Sequence, residues 1–307
     1  MRVSPYDVAL TTAEGGKPKS ALQVVADYLA LTKPRLSGLV LFTTAGGMWL
    51  AGGAGGWVSW LLALLGTAGT VGAANSFNCF IERDSDRFMS RTAKRPLPAR
   101  RMEPPHALAF AVLLALASLP VLALGTNLLT GLLGLLALLS YVLVYTPLKS
   151  RTHWAMVVGA VPGALPPLMG WTAVRGRIEL PGLVLFAILF FWQLPHFIAI
   201  ALFRKEEYRA AGLTSLPLEK GDGVARLHAV LYLAALLPVS VLPAFVGVAG
   251  LVYVVSAVGL GVFFAAVGVR GWRLAGDARW ARQLFGVSLL YLTGLFAALG
   301  LDRFLYR

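Results

Sequence analysis

Long apolar segments alternate with short polar segments along almost the whole chain. An α-helix needs about 20 mainly apolar residues to cross the core of a bilayer, and such segments recur from Ser37 onward. They cover residues 37–55, 57–81, 105–125, 127–147, 154–174, 180–203, 226–246, 248–269 and 283–304. Transmembrane β-strands would instead show shorter segments of alternating polarity. The pattern therefore predicts an all-α protein, a polytopic membrane bundle of about nine helices around a central cavity.

The polar opening of the chain differs from everything that follows it. Residues 1–36 are predicted to form a cytoplasmic tail and juxtamembrane segment, and residues 37–307 a single transmembrane domain. The opening segment contains acidic residues and lacks the apolar core of a signal peptide. We therefore expect the first span itself to direct insertion into the membrane.

Composition and charge agree with this class of protein. Hydrophobic residues make up 58% and charged residues 13% of the chain, whereas soluble domains are about 25% charged. The net charge of +13 would also suit nucleic acid, but 23 of the 27 Lys and Arg residues fall on one side of the predicted bundle. This asymmetry predicts a cytoplasmic N-terminus and an external C-terminus. It explains the basicity without nucleic acid, and a bacterial cytoplasmic membrane is the expected location.

The most informative polar segment is NSFNCFIERDSDRFMSRTAKRPLPARR, residues 75–101. Asn78, Glu82 and Asp86 are spaced four residues apart, which places them on one face if the helix continues. Mg²⁺ prefers such oxygen ligands and often shares them with substrate phosphates, and arginine side chains bind phosphate oxygens well. The segment indicates a magnesium–diphosphate site, with simple basic anchoring as the alternative. Asp84 is expected to pair with a neighbouring arginine instead.

Two further segments place polar residues near the cytoplasmic ends of spans. Tyr145 and Lys149, in YTPLK, would either bind phosphate or anchor the helix at the interface. His196, in WQLPHF, lies inside a span, where an ionisable residue usually faces a cavity or a partner. An axial haem ligand, a general base and a structural histidine remain open as its role. Glu207 is expected on the same face if the helix continues past Pro195.

These segments, in this order, resemble the intramembrane prenyltransferases of the UbiA superfamily, and especially its branch that farnesylates haem. They are LTKPR, NCFIERDSDRFMSRTAKRPLP, YTPLK, GAVPGALPPLMGW and FFWQLPHFIAIALFRKEEYRAAGLTSLP, and they cover about residues 28–217. The last three spans match in hydropathy alone. The resemblance implies transfer of a farnesyl group from farnesyl diphosphate to a vinyl group of haem b, with Mg²⁺ as cofactor. It also suggests a haem A synthase as a partner.

The resemblance assigns roles to individual residues. The first metal–diphosphate motif corresponds to Asn78, Glu82 and Asp86, which would act in catalysis together with Lys149 and His196. The expected diphosphate contacts are Lys33, Arg35, Arg91, Arg95, Tyr145 and Lys149. The expected haem contacts are His196 and Gln193. Most superfamily members carry a second aspartate-rich motif where this chain has WQLPHF and KEEY, so Glu206 and Glu207 are the candidates for a second metal.

Two other functions fit parts of the pattern. A prenyltransferase with a different acceptor is the nearest alternative, and His196 together with the replaced aspartate motif argues against it. A transporter would place acids and broken helices near the middle of the bilayer on paired repeats. The acids of this chain lie at cytoplasmic helix ends, which favours an enzyme.

Overall fold

The computed structural model of the protein describes residues 20–52, 56–271 and 278–305. Within those residues the chain forms helices and connecting turns, without a β-strand. The helices are α1 (Ala21–Leu31), α2 (Pro34–Ala51), α3 (Trp57–Ile81), α4 (Pro104–Gly125), α5 (Leu128–Leu148), α6 (Ala155–Arg175), α7 (Leu180–Phe203), α8 (Lys205–Ala210), α9 (Leu216–Glu219), α10 (Asp222–Phe245), α11 (Leu251–Arg270) and α12 (Ala278–Leu305). Residues 1–19 of the predicted tail lie outside the described residues.

The predicted membrane bundle is confirmed. In the described part of the chain, eight helices are long and apolar enough to cross a bilayer, namely α3, α4, α5, α6, α7, α10, α11 and α12. The first predicted span corresponds to α2, which has 18 residues and includes Arg35, Thr43 and Thr44. Those polar residues reduce its apolar character, and it is not among the eight helices, but it packs along α6 within the bundle.

Helices α6 and α7 lie at the centre of the bundle. Within their most apolar segments, 67% of α6 and 61% of α7 is buried in the protein, against 28% of α4. The backbone of α2 comes close to α6 at Gly47 and Gly170. A methyl group at Gly47 would overlap the carbonyl of Pro167, and one at Gly170 would overlap that of Thr44. Small residues allow such contact between membrane helices, where van der Waals packing drives association.

Helix α5 changes its winding near its C-terminal end. Residues Ser140–Tyr145 form a π-helix, and the Thr146 N–H donates to the carbonyl of Tyr141, five residues back. Pro147 explains this change, because proline lacks an N–H and its ring clashes with the carbonyl four residues earlier in an α-helix. The wider turn avoids that clash and lets the YTPLK segment continue in the same span.

The predicted continuation of α3 through Asp86 is wrong. The helix ends before Glu82, and the chain then forms a short 3₁₀-helix at Ser85–Phe88. The Thr92 hydroxyl donates to the Asp86 carbonyl over 2.7 Å, which folds the loop back on itself. Asn78, Glu82 and Asp86 therefore do not share one continuous helical face.

The predicted continuation of α7 through Glu207 is also wrong. The helix ends at Phe203, and Arg204 departs from helical geometry with φ −108° and ψ 14°. Arg204 forms an ion pair with Glu207, which belongs to the separate helix α8. His196 and Glu207 consequently lie on two different helices rather than along one wall.

Candidate active site

A cavity of about 350 Å³ lies among the central helices, next to the loop that follows α3. The predicted site residues on its walls are Lys33, Asn78, Glu82, Asp86, Arg91, Arg95, Tyr145, Lys149, Gln193 and His196. These side chains come from three spans (α3, α5 and α7), the corner before α2 and the loop after α3. Residues that are far apart in sequence therefore meet around one space.

Each of the three predicted metal ligands accepts a hydrogen bond from a basic side chain. The pairs are Lys33 Nζ with Asn78 Oδ1 at 2.6 Å, Lys149 Nζ with Glu82 Oε1 at 2.8 Å, and Arg95 Nη1 with Asp86 Oδ2 at 2.6 Å. The turn after α3 does not separate the three oxygen-bearing side chains, because all of them still line the cavity. These three pairs form a row of oxygens and positive charges, called the charged row below. Such a row is a suitable surface for a metal-bound diphosphate.

Burial perturbs the ionisation of this row. Burial lowers the pKa of the Lys33 ammonium from 10.5 to about 8, because the charged form loses hydration. Burial alone would raise the pKa of the Glu82 carboxyl, because it disfavours the charged form there too. The charge and the hydrogen bond of Lys149 outweigh burial and hold that pKa below its usual value. Glu82 is therefore an anion in the site.

Asp86 is the most enclosed acid of the cavity, with a side chain only 1% exposed. Its Oδ1 atom is buried and has no hydrogen-bond partner among the described residues. A buried carboxylate oxygen without a partner is unfavourable, and a bound cation would supply one. No three Asp, Glu, His or Cys side chains of the described residues converge on a metal position. A metal would therefore need Asn78, water and substrate oxygens in its shell, an arrangement that Mg²⁺ commonly adopts.

The corner between α1 and α2 places Lys33 in the cavity. Lys33 adopts left-handed backbone geometry, with φ 50°, directly before α2 begins. The Asn75 amide donates to the carbonyl of Thr32 over 3.1 Å and fixes this corner against α3. Arg35, two residues on, is exposed and is not part of the cavity wall. The structure thus brings Lys33 into the predicted site but leaves Arg35 outside it.

The end of α5 contributes the aromatic side of the charged row. Lys149 Nζ lies 4.6 Å from the centre of the Tyr145 ring, a cation–π contact. Tyr141 lies one turn earlier, with its ring centre 5.1 Å from that of Tyr145. The π-helix therefore presents two tyrosines to the space that Lys149, just after α5, also reaches.

Glu206 and Glu207 do not reach the cavity, so the structure does not support them as ligands of a second metal. Glu206 is exposed and pairs with Arg209, whereas Glu207 pairs with Arg204. Each carboxylate is attracted to the arginine three residues away on its own turn. Asp84 likewise pairs with arginines of its own loop, as predicted.

The opposite end of the cavity is lined by residues of α6 and α7, and α12 packs against α7 at His196. The His196 ring packs between Trp192 and Phe285, with centroid distances of 4.9 and 4.8 Å. The Gln193 amide donates to the carbonyls of Ala160 and Leu189, which leaves its oxygen as an acceptor. A methyl group at Gly163 would overlap that oxygen, so only glycine leaves room for Gln193. This end combines the aromatic ring of Phe197 with the polar groups of Gln193 and His196, as ligand pockets often do.

Several wall residues were not predicted from the sequence. Tyr141 and Tyr208 line the cavity, and the Thr146 hydroxyl lies 3.4 Å from the Asn78 amide nitrogen. The spacing of four residues between Tyr141 and Tyr145 was an available signal. Tyr208 gave none, because it lies in a short charged helix beside exposed residues.

The amino-acid sequence is similar to those of known membrane prenyltransferases. The pattern of the UbiA prenyltransferase family matches residues 40–293. The chain is 62% identical over 287 residues to the protoheme IX farnesyltransferase of Myxococcus xanthus (strain DK1622), which covers 94% of this chain and 98% of that relative. It is 47% identical to the protein of the same name from Anaeromyxobacter dehalogenans (strain 2CP-C), over 96% of this chain and 100% of that one.

Solved structures resemble the fold. A digeranylgeranylglyceryl phosphate synthase superposes with a TM-score of 0.77 at 16% identity, over 91% of this chain and 98% of that chain. A UbiA homologue from Archaeoglobus fulgidus, bound to GPP and Mg²⁺, superposes with a TM-score of 0.64 at 18% identity, over 89% and 99%. The resemblance inferred from the motifs is therefore confirmed by sequence and by fold, and the chain belongs to the UbiA prenyltransferase family.

Proposed function

We propose that this prenyltransferase transfers the farnesyl group of farnesyl diphosphate to a vinyl group of haem b, giving haem O. The observation that carries the proposal is the two-ended cavity, with Asn78, Glu82 and Asp86 among basic residues at one end and His196 beside Gln193 at the other. The extensive identity with proteins named protoheme IX farnesyltransferase supports this choice of acceptor. The product is a precursor for haem A and for the cofactor of cytochrome oxidase.

The charged end binds the diphosphate. We propose that Asn78, Glu82 and Asp86 hold Mg²⁺, and that Lys33, Arg91, Arg95, Lys149 and Tyr145 contact phosphate oxygens. Bound Mg²⁺ would neutralise charge on the diphosphate as it leaves. The lysines and arginines stabilise the same negative charge from fixed positions, which is effective in a site with little water. Lys33, Lys149 and Arg95 are held at the site by their hydrogen bonds to the three oxygen ligands.

The apolar middle of the cavity protects the reactive farnesyl group. Phe197, Ile198 and Ile200 are among its wall residues, and their hydrocarbon side chains offer no heteroatom nucleophile to an allylic cation. Excluding water here prevents early hydrolysis of the substrate. The farnesyl carbon can then be captured by the acceptor instead of by solvent.

The aromatic end binds the porphyrin, with His196 as a ligand of the haem iron and Gln193 as a polar contact. In the reaction, the allylic carbon–oxygen bond breaks with its electron pair on the diphosphate, and the vinyl π electrons form the new carbon–carbon bond. Water then adds to the remaining vinyl carbon and releases one proton. These steps give the hydroxyethylfarnesyl side chain and diphosphate.

The location of the protein is proposed from its charge distribution. The protein is proposed to reside in a bacterial cytoplasmic membrane, with the N-terminus in the cytoplasm, the C-terminus outside, and residues 37–307 acting as one catalytic domain. A haem A synthase is the proposed partner, because it would consume the product. The diphosphate site then faces the cytoplasm, where farnesyl diphosphate is available.

Mass spectrometry of the product tests the function. The purified protein is incubated with haem b, farnesyl diphosphate and Mg²⁺, and we expect haem with a farnesyl group and one added water. A parallel reaction with a phenolic acceptor in place of haem tests the alternative acceptor class. Farnesylated phenol without farnesylated haem would overturn the proposal. If neither product formed, the cavity would not be the active site of a farnesyltransferase.

A further inference from the structure

Ser288, on α12, contacts the one histidine of the cavity's aromatic end. Its hydroxyl oxygen lies 2.7 Å from His196 Nδ1 and 2.6 Å from the carbonyl oxygen of Phe285. Its side chain is fully buried. The Trp192 indole donates to the Ser288 carbonyl over 2.6 Å and fixes this part of α12 against α7. Two helices are thus joined at this point by polar contacts inside the membrane.

The two short distances determine where the protons lie. Each contact needs a proton between its heavy atoms, because two lone pairs would repel at such a distance. Ser288 has only one hydroxyl proton, and the Phe285 carbonyl has none to give. Ser288 therefore donates to Phe285, and the remaining contact is satisfied only if His196 donates its Nδ1–H to the Ser288 oxygen. In the neutral imidazole the other nitrogen, Nε2, then carries a lone pair.

We infer that Ser288 is a positioning residue, which fixes the tautomer and ring orientation of His196 so that Nε2 presents its lone pair to the cavity. The aromatic sandwich of Trp192 and Phe285 restrains the plane of the imidazole, so its edge faces the ligand space. Histidines that bind metal usually donate their other N–H to a fixed acceptor in this way. The inference rests on the proposed function, because the acceptor of the lone pair is the haem iron.

The chain offers a matched control for Ser288. Ser240, on α10, is also buried, donates to a carbonyl of its own helix at Leu236 over 2.7 Å, and contacts the Tyr291 hydroxyl on α12. It is not part of the cavity wall. Replacing either serine by alanine removes one buried hydroxyl and one interhelical contact, but only Ser288 touches His196.

Nuclear magnetic resonance of ¹⁵N-histidine protein in nanodiscs reads the tautomer directly. In the wild-type protein without haem, we expect His196 to carry its proton on Nδ1 and to be unprotonated at Nε2. The same sample of Ser288→Ala should show the Nε2-protonated form or a mixture, while Ser240→Ala keeps the wild-type tautomer. A wild-type His196 protonated at Nε2 would overturn the inference.

Haem titration provides the functional readout. For Ser288→Ala we expect roughly a 10-fold loss of haem affinity and a shifted absorption spectrum, with unchanged affinity for farnesyl diphosphate. Ser240→Ala should retain the spectrum and both affinities. Equal losses in the two variants, or a wild-type spectrum and affinity in Ser288→Ala, would show that Ser288 is merely structural. If the wild-type protein binds haem with the expected tautomer but never farnesylates it, the proposed function fails while the positioning role stands.

Discussion

Lys33 Nζ lies 2.6 Å from Asn78 Oδ1, so the residue that precedes α2 meets the C-terminal end of α3. This contact is made across 45 residues of sequence and closes one side of the charged row. Lys33 is held there by the corner between α1 and α2, whereas Arg35 is exposed outside the cavity. The two cations are close in sequence but differ in their access to substrate.

Lys33→Met should weaken the binding of farnesyl diphosphate because it removes a charged hydrogen-bond donor from the site. Such bonds contribute about 1.5–3 kcal/mol, so we expect the KM for farnesyl diphosphate to rise by roughly 10- to 100-fold. Arg35→Met is the control and should leave the KM unchanged. Steady-state kinetics of the two variants measure the difference, and equal effects would return both residues to a role in membrane anchoring.

Asp86→Asn should abolish most turnover while membrane insertion and folding are retained. The substitution removes the charge that would bind the metal but changes the side-chain volume very little, and we expect a loss of about 100-fold or more in kcat. Asp84→Asn is the matched control, because Asp84 is 70% exposed and pairs only with arginines of its own loop. Wild-type turnover of Asp86→Asn at saturating Mg²⁺ would exclude Asp86 from the metal site.

Arg95→Lys should impair the enzyme more than this substitution usually does. The guanidinium holds Asp86 and can bind two phosphate oxygens at once, whereas an ammonium is a single point charge. We expect a KM for farnesyl diphosphate raised roughly 10-fold, together with a lower kcat. Arg87→Lys, at an exposed position, should have neither effect. Unchanged constants for Arg95→Lys would indicate that Arg95 serves only to hold the loop.

Removal of Mg²⁺ by a chelator should stop turnover, and added Mg²⁺ should restore it. Haem binding, followed by absorption, should persist in the chelated protein because the proposed haem site lies at the other end of the cavity. The double variant Glu206→Gln, Glu207→Gln should show the same Mg²⁺ dependence as the wild-type protein, since neither carboxylate reaches the cavity. A changed Mg²⁺ requirement in that variant would reinstate these residues as metal ligands.

His196→Ala separates the three roles that the sequence left open. For an iron ligand, the haem spectrum shifts and haem binding weakens by at least about 10-fold, with little change in farnesyl diphosphate affinity. For a general base, haem binds normally while the pH–rate profile loses a limb. For a structural histidine, thermal stability and both affinities fall together. We expect the first result. His228→Ala serves as the control, because His228 is half-buried, lies outside the cavity wall and contacts its own helix at Val224.

The sequence predicted the spans well because lipid imposes one physical rule, a long apolar helix, on every crossing. It also predicted most of the site, since Asn78, Glu82 and Asp86 line one cavity. The reason given for their proximity was wrong, because a folded loop and the Arg95 ion pair, not a continuous helix, position Asp86. Ser288 could not be predicted, because its role depends on how α12 packs against α7. A single serine in an apolar span carries no signal of that contact.

The π-helix at Ser140–Tyr145 divides α5 into two parts, and the side chains of the second part are rotated about the helix axis relative to those of the first. An α-helix turns by about 100° per residue, so one extra residue in a turn rotates all that follows relative to an unbroken helix. The part before the π-helix, Leu128–Leu139, can keep its apolar face toward the neighbouring spans. The part after it directs Lys149 toward Glu82. The residues of α5 that pack against other spans and the residue that reaches the site therefore need not lie on the same helical face. Deleting one residue of the π-helix would restore a continuous α-helix and rotate Lys149 away from Glu82. The charged row would then be disrupted although none of its residues had been replaced.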